Sequence, residues 1–288
     1  MVRRYNEGKA IDAVIRCIEE RDRCRRGNDG YSPDDLRNTD ENHRVDYVVT
    51  IGTHLFAFEH TGIEPFNKQI KMGKDNTALF APIIQKFDKR PDSEFWTLWV
   101  PVHASEGLNR STIPSVQQAL TGWIETNVSS VPVIRYGERP IIDVTTSDVP
   151  FRFSLHRTTV PQNSGLSGRI DLRPYVDINI DTARQERLRD ACNKKNPKLK
   201  NWKCRNNAYT VLVLEENDTS LTNTQVISDA LSIVEKELTN LPDEVFLVTT
   251  AFDPWYVSCL RRPGATYYDK DERYHKINPE ILAILTKG

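Results

Sequence analysis

Apolar and polar positions alternate along residues 44–61, RVDYVVTIGTHLFAFEHT, on either side of Gly52-Thr53. A period of two predicts strands, and Gly-Thr at the break predicts a two-residue turn with glycine at its first central position. In that register Ile51 faces His54 and Asp46 lies directly opposite Glu59. Tyr47, Val49, Ile51, His54, Phe56, Phe58 and His60 then share one face, the expected core. Asp46, Val48, Thr50, Leu55, Ala57, Glu59 and Thr61 share the other, expected to be partly covered by helix and open at one end.

Ahead of this hairpin, Ile11, Val14, Ile15 and Ile18 recur at helical spacing and predict a helix over 9–25. On its wheel Glu19 flanks the apolar stripe, whereas Glu20 lies opposite it. Residues 27–43 are rich in Gly, Asn, Asp and Ser and read as a polar loop. Beyond the hairpin, 64–87 reads as one or two helices broken near Gly73. FWTLWVPVH (95–103) is a buried strand, and 113–127 is a helix with Pro114 in its first turn. Prolines and turn residues over 131–150 suggest a soft boundary, dividing the chain into 1–149 and 150–288. The second part begins with a strand-like stretch (150–160) and a charged helix over about 180–194. It continues as a strand–helix–strand unit over 208–218, 224–241 and 243–252. The pattern is that of an α/β protein with a mixed central sheet flanked by helices.

The 39 basic and 40 acidic residues nearly cancel, so no global field draws the chain to nucleic acid or to an anionic membrane. Local basic patches occur at RCIEERDRCRR (16–26) and NKKNPKLKNWKCR (193–205), although such runs also serve as plain solvated surface. The five cysteines form no CxxC pair and show no His or Asp pattern of a nucleophile. The N-terminus has no apolar signal region and no stretch approaches a membrane span, so a cytoplasmic protein without membrane association is expected.

Two carboxylates facing each other across a hairpin repel unless a cation lies between them. A helix bearing a glutamate, followed by a hairpin with Asp at the start of one strand and Glu near the end of the next, resembles the PD-(D/E)XK nuclease superfamily. The resemblance covers roughly residues 9–103 and implies a restriction-endonuclease-like core, with an additional α/β C-terminal half. It implies Asp46 and Glu59 as ligands of Mg²⁺ or Mn²⁺, Glu19 as the helix carboxylate, and hydrolysis of phosphodiester bonds in nucleic acid, DNA ahead of RNA. Two positions depart from the pattern. Val45 replaces a frequent proline, and Thr61 stands where the family has the lysine that supplies positive charge and positions water. Lys68 or Lys71, beside Gln69 on the following helix, could replace that charge; otherwise the metal acts alone or the site is inert. The resemblance thus gives a catalytic set of Glu19, Asp46, Glu59, Thr61, Gln69 and Lys71.

Plainer readings stand beside these. Asp46 and Glu59 could be solvated strand ends paired with Arg44 or Lys68, Glu19 an exposed helix residue, and His54 and His60 satisfied core or edge side chains. Glu215, Glu216 and Asp218 form a second acidic cluster, which reads as a metal site or a polar loop. Trp255, Tyr256, Tyr267, Tyr268 and Tyr274 read as packing, since no basic stripe accompanies them in sequence. Three functions follow: a metal-dependent nuclease, a catalytically inactive module of that fold binding nucleic acid or protein, and a ligand-binding α/β protein using the 215–218 loop. Near-neutral charge suggests that a second copy or a protein partner adds affinity.

Overall fold

Sheet formation joins the two ends of this chain. The computed structural model describes residues 6–32, 44–64, 69–90, 93–135, 144–161, 164–176, 179–217, 223–263 and 274–285, and they fall into two compact units. The first unit combines the described residues of 3–67 and 179–288; the second is drawn from 68–178. The boundary expected at 149/150 instead falls inside the second unit, within a strand that begins at Val149 and pairs with the one at Val144–Thr146. Residues 56–62 pair with 209–215 in the C-terminal part of the chain, which alternation along the sequence cannot reveal.

In the first unit, helix α1 (Glu7–Asp22) is followed by strands β1 (Tyr47–Ile51) and β2 (His54–Gly62). Helix α4 (Ile180–Asn206), β8 (Tyr209–Glu216), α5 (Thr224–Val234), β9 (Glu244–Thr249), β10 (Trp255–Arg261) and β11 (His275–Ile277) come from the far end of the chain. The strands form one mixed sheet in the order β1-β2-β8-β9-β10-β11, with β2, β8 and β9 parallel and the outer pairs antiparallel. Helix α1 covers one face, its Ile11, Val14, Ile15 and Ile18 packing with Tyr47, Val49, Ile51, Phe56 and Phe58. Leu188, Cys192 and Leu199 of α4 and Ile227 and Leu231 of α5 cover the other, against Val48, Ala57, Leu212 and Leu214. Because its central strands are buried on both faces, VLVL in β8 and VFLV in β9 read as unbroken apolar runs.

The hairpin ladder has the expected register, from Tyr47 opposite Phe58 to Ile51 opposite His54. Gly52 turns it with φ +62°, the left-handed conformation that glycine adopts without steric cost. Its second face is not open, however: α4 buries Val48, Ala57 and Glu59 completely. The free edge of β1 is lined by residues 25–31, through Gly27 N–H to Thr50 O (2.8 Å) and reciprocal bonds between Tyr31 and Val48 (3.0 and 2.9 Å).

Helix α4 runs through Pro197 to residue 206, twelve residues beyond its expected end at 194. A helix interior disfavours proline, but buried Leu199 on its inner side ties the last turns to the sheet. Asn179 caps its start by accepting from Thr182 N–H (3.2 Å), and Asn207 ends it at φ +51°. The β8–α5–β9 unit forms as expected, with α5 shorter than the periodicity suggested and passing into a 3₁₀ turn at Glu235–Glu237.

In the second unit α2 (Gln69–Phe87) is one helix, unbroken at Gly73. Strand β3 (Glu94–Pro101) lies between β6 (Val149–Thr159) and β7 (Ile170–Tyr175), with β4 (Val133–Ile134) and β5 (Val144–Thr146) beside β6. Leu79, Phe80 and Ile83 of α2 and Val116, Leu120 and Ile124 of α3 (Ile113–Asn127) pack with Leu98, Val100, Phe153 and Leu155. The whole is a mixed α/β protein with two mixed sheets, as the sequence pattern predicts. Among the described residues no helix is long and apolar enough to cross a membrane.

One ion cluster holds α1 to its surroundings. Asp12, fully buried, accepts from Arg16 (2.9 Å), from Ala283 N–H (2.9 Å) and from Arg26; Arg26 also donates to Glu19 at 2.8 Å. Removing one partner of a buried pair leaves the other charge desolvated without compensation. Arg26→Ala is expected to cost about 3 kcal/mol in urea unfolding, and a loss below about 1 kcal/mol would show that the cluster does not carry α1.

Candidate functional site

At Asp46 the hairpin ladder ends. The Asp46 N–H bonds to Phe58 O (3.0 Å), one place off the ladder's register, and its carboxylate replaces a backbone acceptor by taking the His60 N–H at Oδ2 (2.6 Å). Asp46 is therefore not directly opposite Glu59, as a regular ladder would have it, yet both carboxylates reach one point. That point is an ammonium group. Lys195 Nζ lies 3.1 Å from Asp46 Oδ2 and in contact with Glu59 Oε2, while Lys198 Nζ lies 3.2 Å from Glu59 Oε1.

Both lysines come from α4. Leu188, Cys192 and Leu199 mark the buried stripe of that helix, and Lys195 follows Cys192 by three residues and precedes Leu199 by four, so it falls on the same stripe. This spacing is the signal that could have found it. Inside a lysine-rich run it reads as solvent-facing charge, and the carboxylates it meets lie far away in the chain, Asp46 149 residues before it.

Burial sets the electrostatics. Glu59 is fully buried and Asp46 is 6% exposed, so neither is a solvated strand end. Burial first, and the Asp46 charge second, push the Glu59 carboxyl up to about 8, against the pull of Lys195 and Lys198. Burial also works against a charged Lys195, but Glu59 and Asp46 outweigh it and hold the ammonium above the usual lysine range. Both Glu59 oxygens are buried without a hydrogen bond of good geometry; ion-pair contact with the two ammonium groups is what they have.

Only part of the expected residue set is assembled here. Thr61 lies two residues after Glu59 on β2, on the same side of the sheet by alternation, and is half-buried. Glu19 does not join. It belongs to α1 on the opposite face of the sheet, near the hairpin turn, and accepts from the Arg26 backbone and side chain, both at 2.8 Å. Burial tends to raise its pKa, but these bonds outweigh that and keep it below the usual carboxylate range. The wheel correctly set Glu19 beside the apolar stripe; what it could not show was that this stripe covers the other side of the sheet. Gln69 and Lys71 begin α2 in the second unit, Lys71 exposed and the Gln69 side chain outside the described residues, as is Lys68.

The second acidic cluster is dispersed. Glu215 and Glu216 are consecutive in β8, point to opposite faces and are both buried; Asp218 lies outside the described residues. Glu215 accepts from the Asn6 N–H (2.8 Å) and Thr250 Oγ1 (3.1 Å) and contacts His60 Nε2 (2.9 Å). It thus fixes the start of α1 and explains His60 as a satisfied core histidine, while His54 is exposed. Glu215 and Glu216 therefore form no common ligand site. Burial likewise pushes the Cys17 and Cys192 thiols up to about 12, which keeps both protonated and unreactive at neutral pH.

Among the described residues no group of three or more His, Cys, Asp and Glu side chains is gathered as for a metal ion. Asp46 and Glu59 nevertheless suit a hard cation. They offer two buried carboxylates converging on one positive charge, the Glu59 oxygens have no good hydrogen-bond donor, and Mg²⁺ commonly takes one or two carboxylates and keeps several waters. Comparison with protein-family models, with curated proteins and with solved structures finds no match.

The raised Glu59 pKa fixes a sign for stability. Between the ordinary 4.5 and about 8 the folded state holds a proton that the unfolded chain has lost. This contribution is therefore present at low pH and fades as pH rises through that window, by at most about 1.4 kcal/mol per pH unit. Thermal unfolding from pH 5 to 8 is expected to show a flatter pH dependence for Glu59→Gln than for wild type; parallel curves would mean that Glu59 titrates normally.

Proposed function

We propose that this chain is a nuclease of the PD-(D/E)XK type, hydrolysing phosphodiester bonds in nucleic acid, DNA ahead of RNA, with Mg²⁺ or Mn²⁺ held by Asp46 and Glu59. The observation that carries this reading is Lys195, whose ammonium touches both hairpin carboxylates. It supplies, from a distant helix, the positive charge that Thr61 cannot, so the resemblance gains its acid, acid and lysine set from three elements.

A bound divalent cation would lower the pKa of a water ligand and neutralise charge on the phosphate. The chain's own residues do the rest. Asp46 is oriented by the His60 N–H at Oδ2. Glu59 brings a carboxylate that is readily protonated in a dry site, ready to give up its proton when a second positive charge arrives. Lys195, released from the carboxylates, can face a non-bridging phosphate oxygen and stabilise the charge that develops there. Lys198, a quarter exposed, lies at the solvent side of the same group.

A second reading has its own observation. Glu59 is wholly buried and already matched by two lysines, which suits a catalytically inactive module in which the cluster is structural. Metal-dependent cleavage separates the two. With Mn²⁺ or Mg²⁺, wild type is expected to nick plasmid DNA; Asp46→Asn and Glu59→Gln lose this activity, and Lys195→Met, compared at a temperature where circular dichroism shows it folded, lowers turnover about 100-fold. If wild type cuts neither DNA nor RNA with either ion, the structural reading stands; if Lys195→Met cuts normally, Lys195 has no catalytic part.

A further inference from the structure

The basic run at 193–205 belongs to α4, and the helix sorts its charges by side. Lys195 and Lys198 turn to the hairpin carboxylates, Lys198 Nζ lying 3.2 Å from Glu59 Oε1. On the other flank Arg189 pairs with Glu237 (2.9 Å), which follows α5, and Lys203 pairs with Asp243, which precedes β9. One flank of α4 therefore faces α5 and β9, and the flank that carries Lys198 faces the hairpin.

Three more cations share the Lys198 flank. At about 100° per residue, Arg187, Lys194 and Arg205 all fall within about 40° of Lys198. The four recur at intervals of seven, four and seven residues. At about 1.5 Å per residue they span roughly 27 Å, with Arg187 and Arg205 each roughly 13 Å along the helix from the midpoint of Lys195 and Lys198. The two arginines thus lie on opposite sides of the carboxylate pair.

This charge is not spent within the fold. Lys198 meets Glu59, but no carboxylate among the described residues pairs with Arg187, Lys194 or Arg205. Lys194 and Arg205 are exposed; Arg187 is half-buried, and its Nε has no hydrogen-bond partner. Ala191 and Asn201 fill the gaps between them, and Asp190 borders the flank toward solvent. No large apolar side chain is exposed along α4, so the flank offers charge to phosphates and nothing on which bases could stack. A rigid line of cations without aromatics suits a polyanion held by its backbone, and contacts of that kind set position without reading sequence.

We propose that this flank of α4 is the surface that holds the phosphate backbone of duplex DNA, with Arg187, Lys194 and Arg205 gripping phosphates on both sides of the Asp46 and Glu59 pair. The inference rests on the hydrolytic reading only for the choice of nucleic acid among polyanions. Its contacts need no divalent cation, so binding and cleavage are measured apart.

The test is fluorescence anisotropy of a labelled mixed-sequence DNA duplex, longer than the basic flank, with the full chain in EDTA; circular dichroism checks the folding of each variant. Wild type is expected to bind the duplex, with poly-glutamate a much weaker competitor than unlabelled DNA. Lys194→Gln/Arg205→Gln is expected to weaken binding about tenfold and to reduce the slope of log affinity against log salt by about 1.8. Lys200→Gln, exposed on the other side of the helix, is expected to leave both unchanged. The proposal is overturned if wild type does not bind, if the double variant binds like wild type, or if Lys200→Gln weakens binding as much. It is also overturned if poly-glutamate displaces the duplex as well as DNA does, which would mark a general anion surface. Where Mn²⁺ supports plasmid cleavage, the double variant is expected to raise KM about tenfold, and an unchanged KM overturns the proposal while the hydrolytic reading stands. Binding that depends on Lys194 and Arg205, with no cleavage under either ion, upholds the proposal and removes only the hydrolytic reading.

Discussion

A carboxylate in the middle of a sheet covered on both sides has to be matched by positive charge from whatever covers it. Glu59 is such a group, and its burial makes the packing of α4 a condition for the fold of the hairpin. Removing an isolated carboxylate from water costs several kcal/mol, more than most single contacts return. Lys195 and Lys198 therefore do more than decorate α4. They fix which of its faces meets β2, and with Leu188, Cys192 and Leu199 they set the helix in register with the strand it covers.

The same constraint orders the rest of the first unit. With β2 held between α1 and α4, β8 pairs beside it in parallel, and β9 extends the sheet through the crossover helix α5. Glu215, on the α1 side of β8, repeats the arrangement by engaging the Asn6 N–H, His60 and Thr250. Asp12, Glu19 and Arg26 do so again near the hairpin turn. Buried Glu59, Glu215 and Asp12 are thus each tied to a partner from a distant part of the chain, and such pairs specify one packing even where they add little net stability.

This economy bears on function. A pair of carboxylates held together by an ammonium group already has its repulsion relieved, so a metal at that point would have to displace Lys195. Catalysis by such a cluster would require releasing Lys195 from a nearly dry site, where burial also raises the Glu59 pKa.

Local pattern alone determined the hairpin, its Gly52 turn, its register as far as Tyr47, the amphipathic α1 and the β8–α5–β9 unit, because periodicity and turn chemistry act over a few residues. It also singled out Asp46 and Glu59, since strand alternation sets both on one side. Only the tertiary structure decided that Glu19 lies on the opposite face of the sheet from Glu59, that Asp46 leaves the ladder, and that Lys195 meets both hairpin carboxylates. Each of these depends on contacts between segments far apart in sequence: α1 with one face of the sheet, α4 with the other, β8 beside β2. A lysine in a run of lysines carries no local mark of burial, and its partner is chosen by the fold.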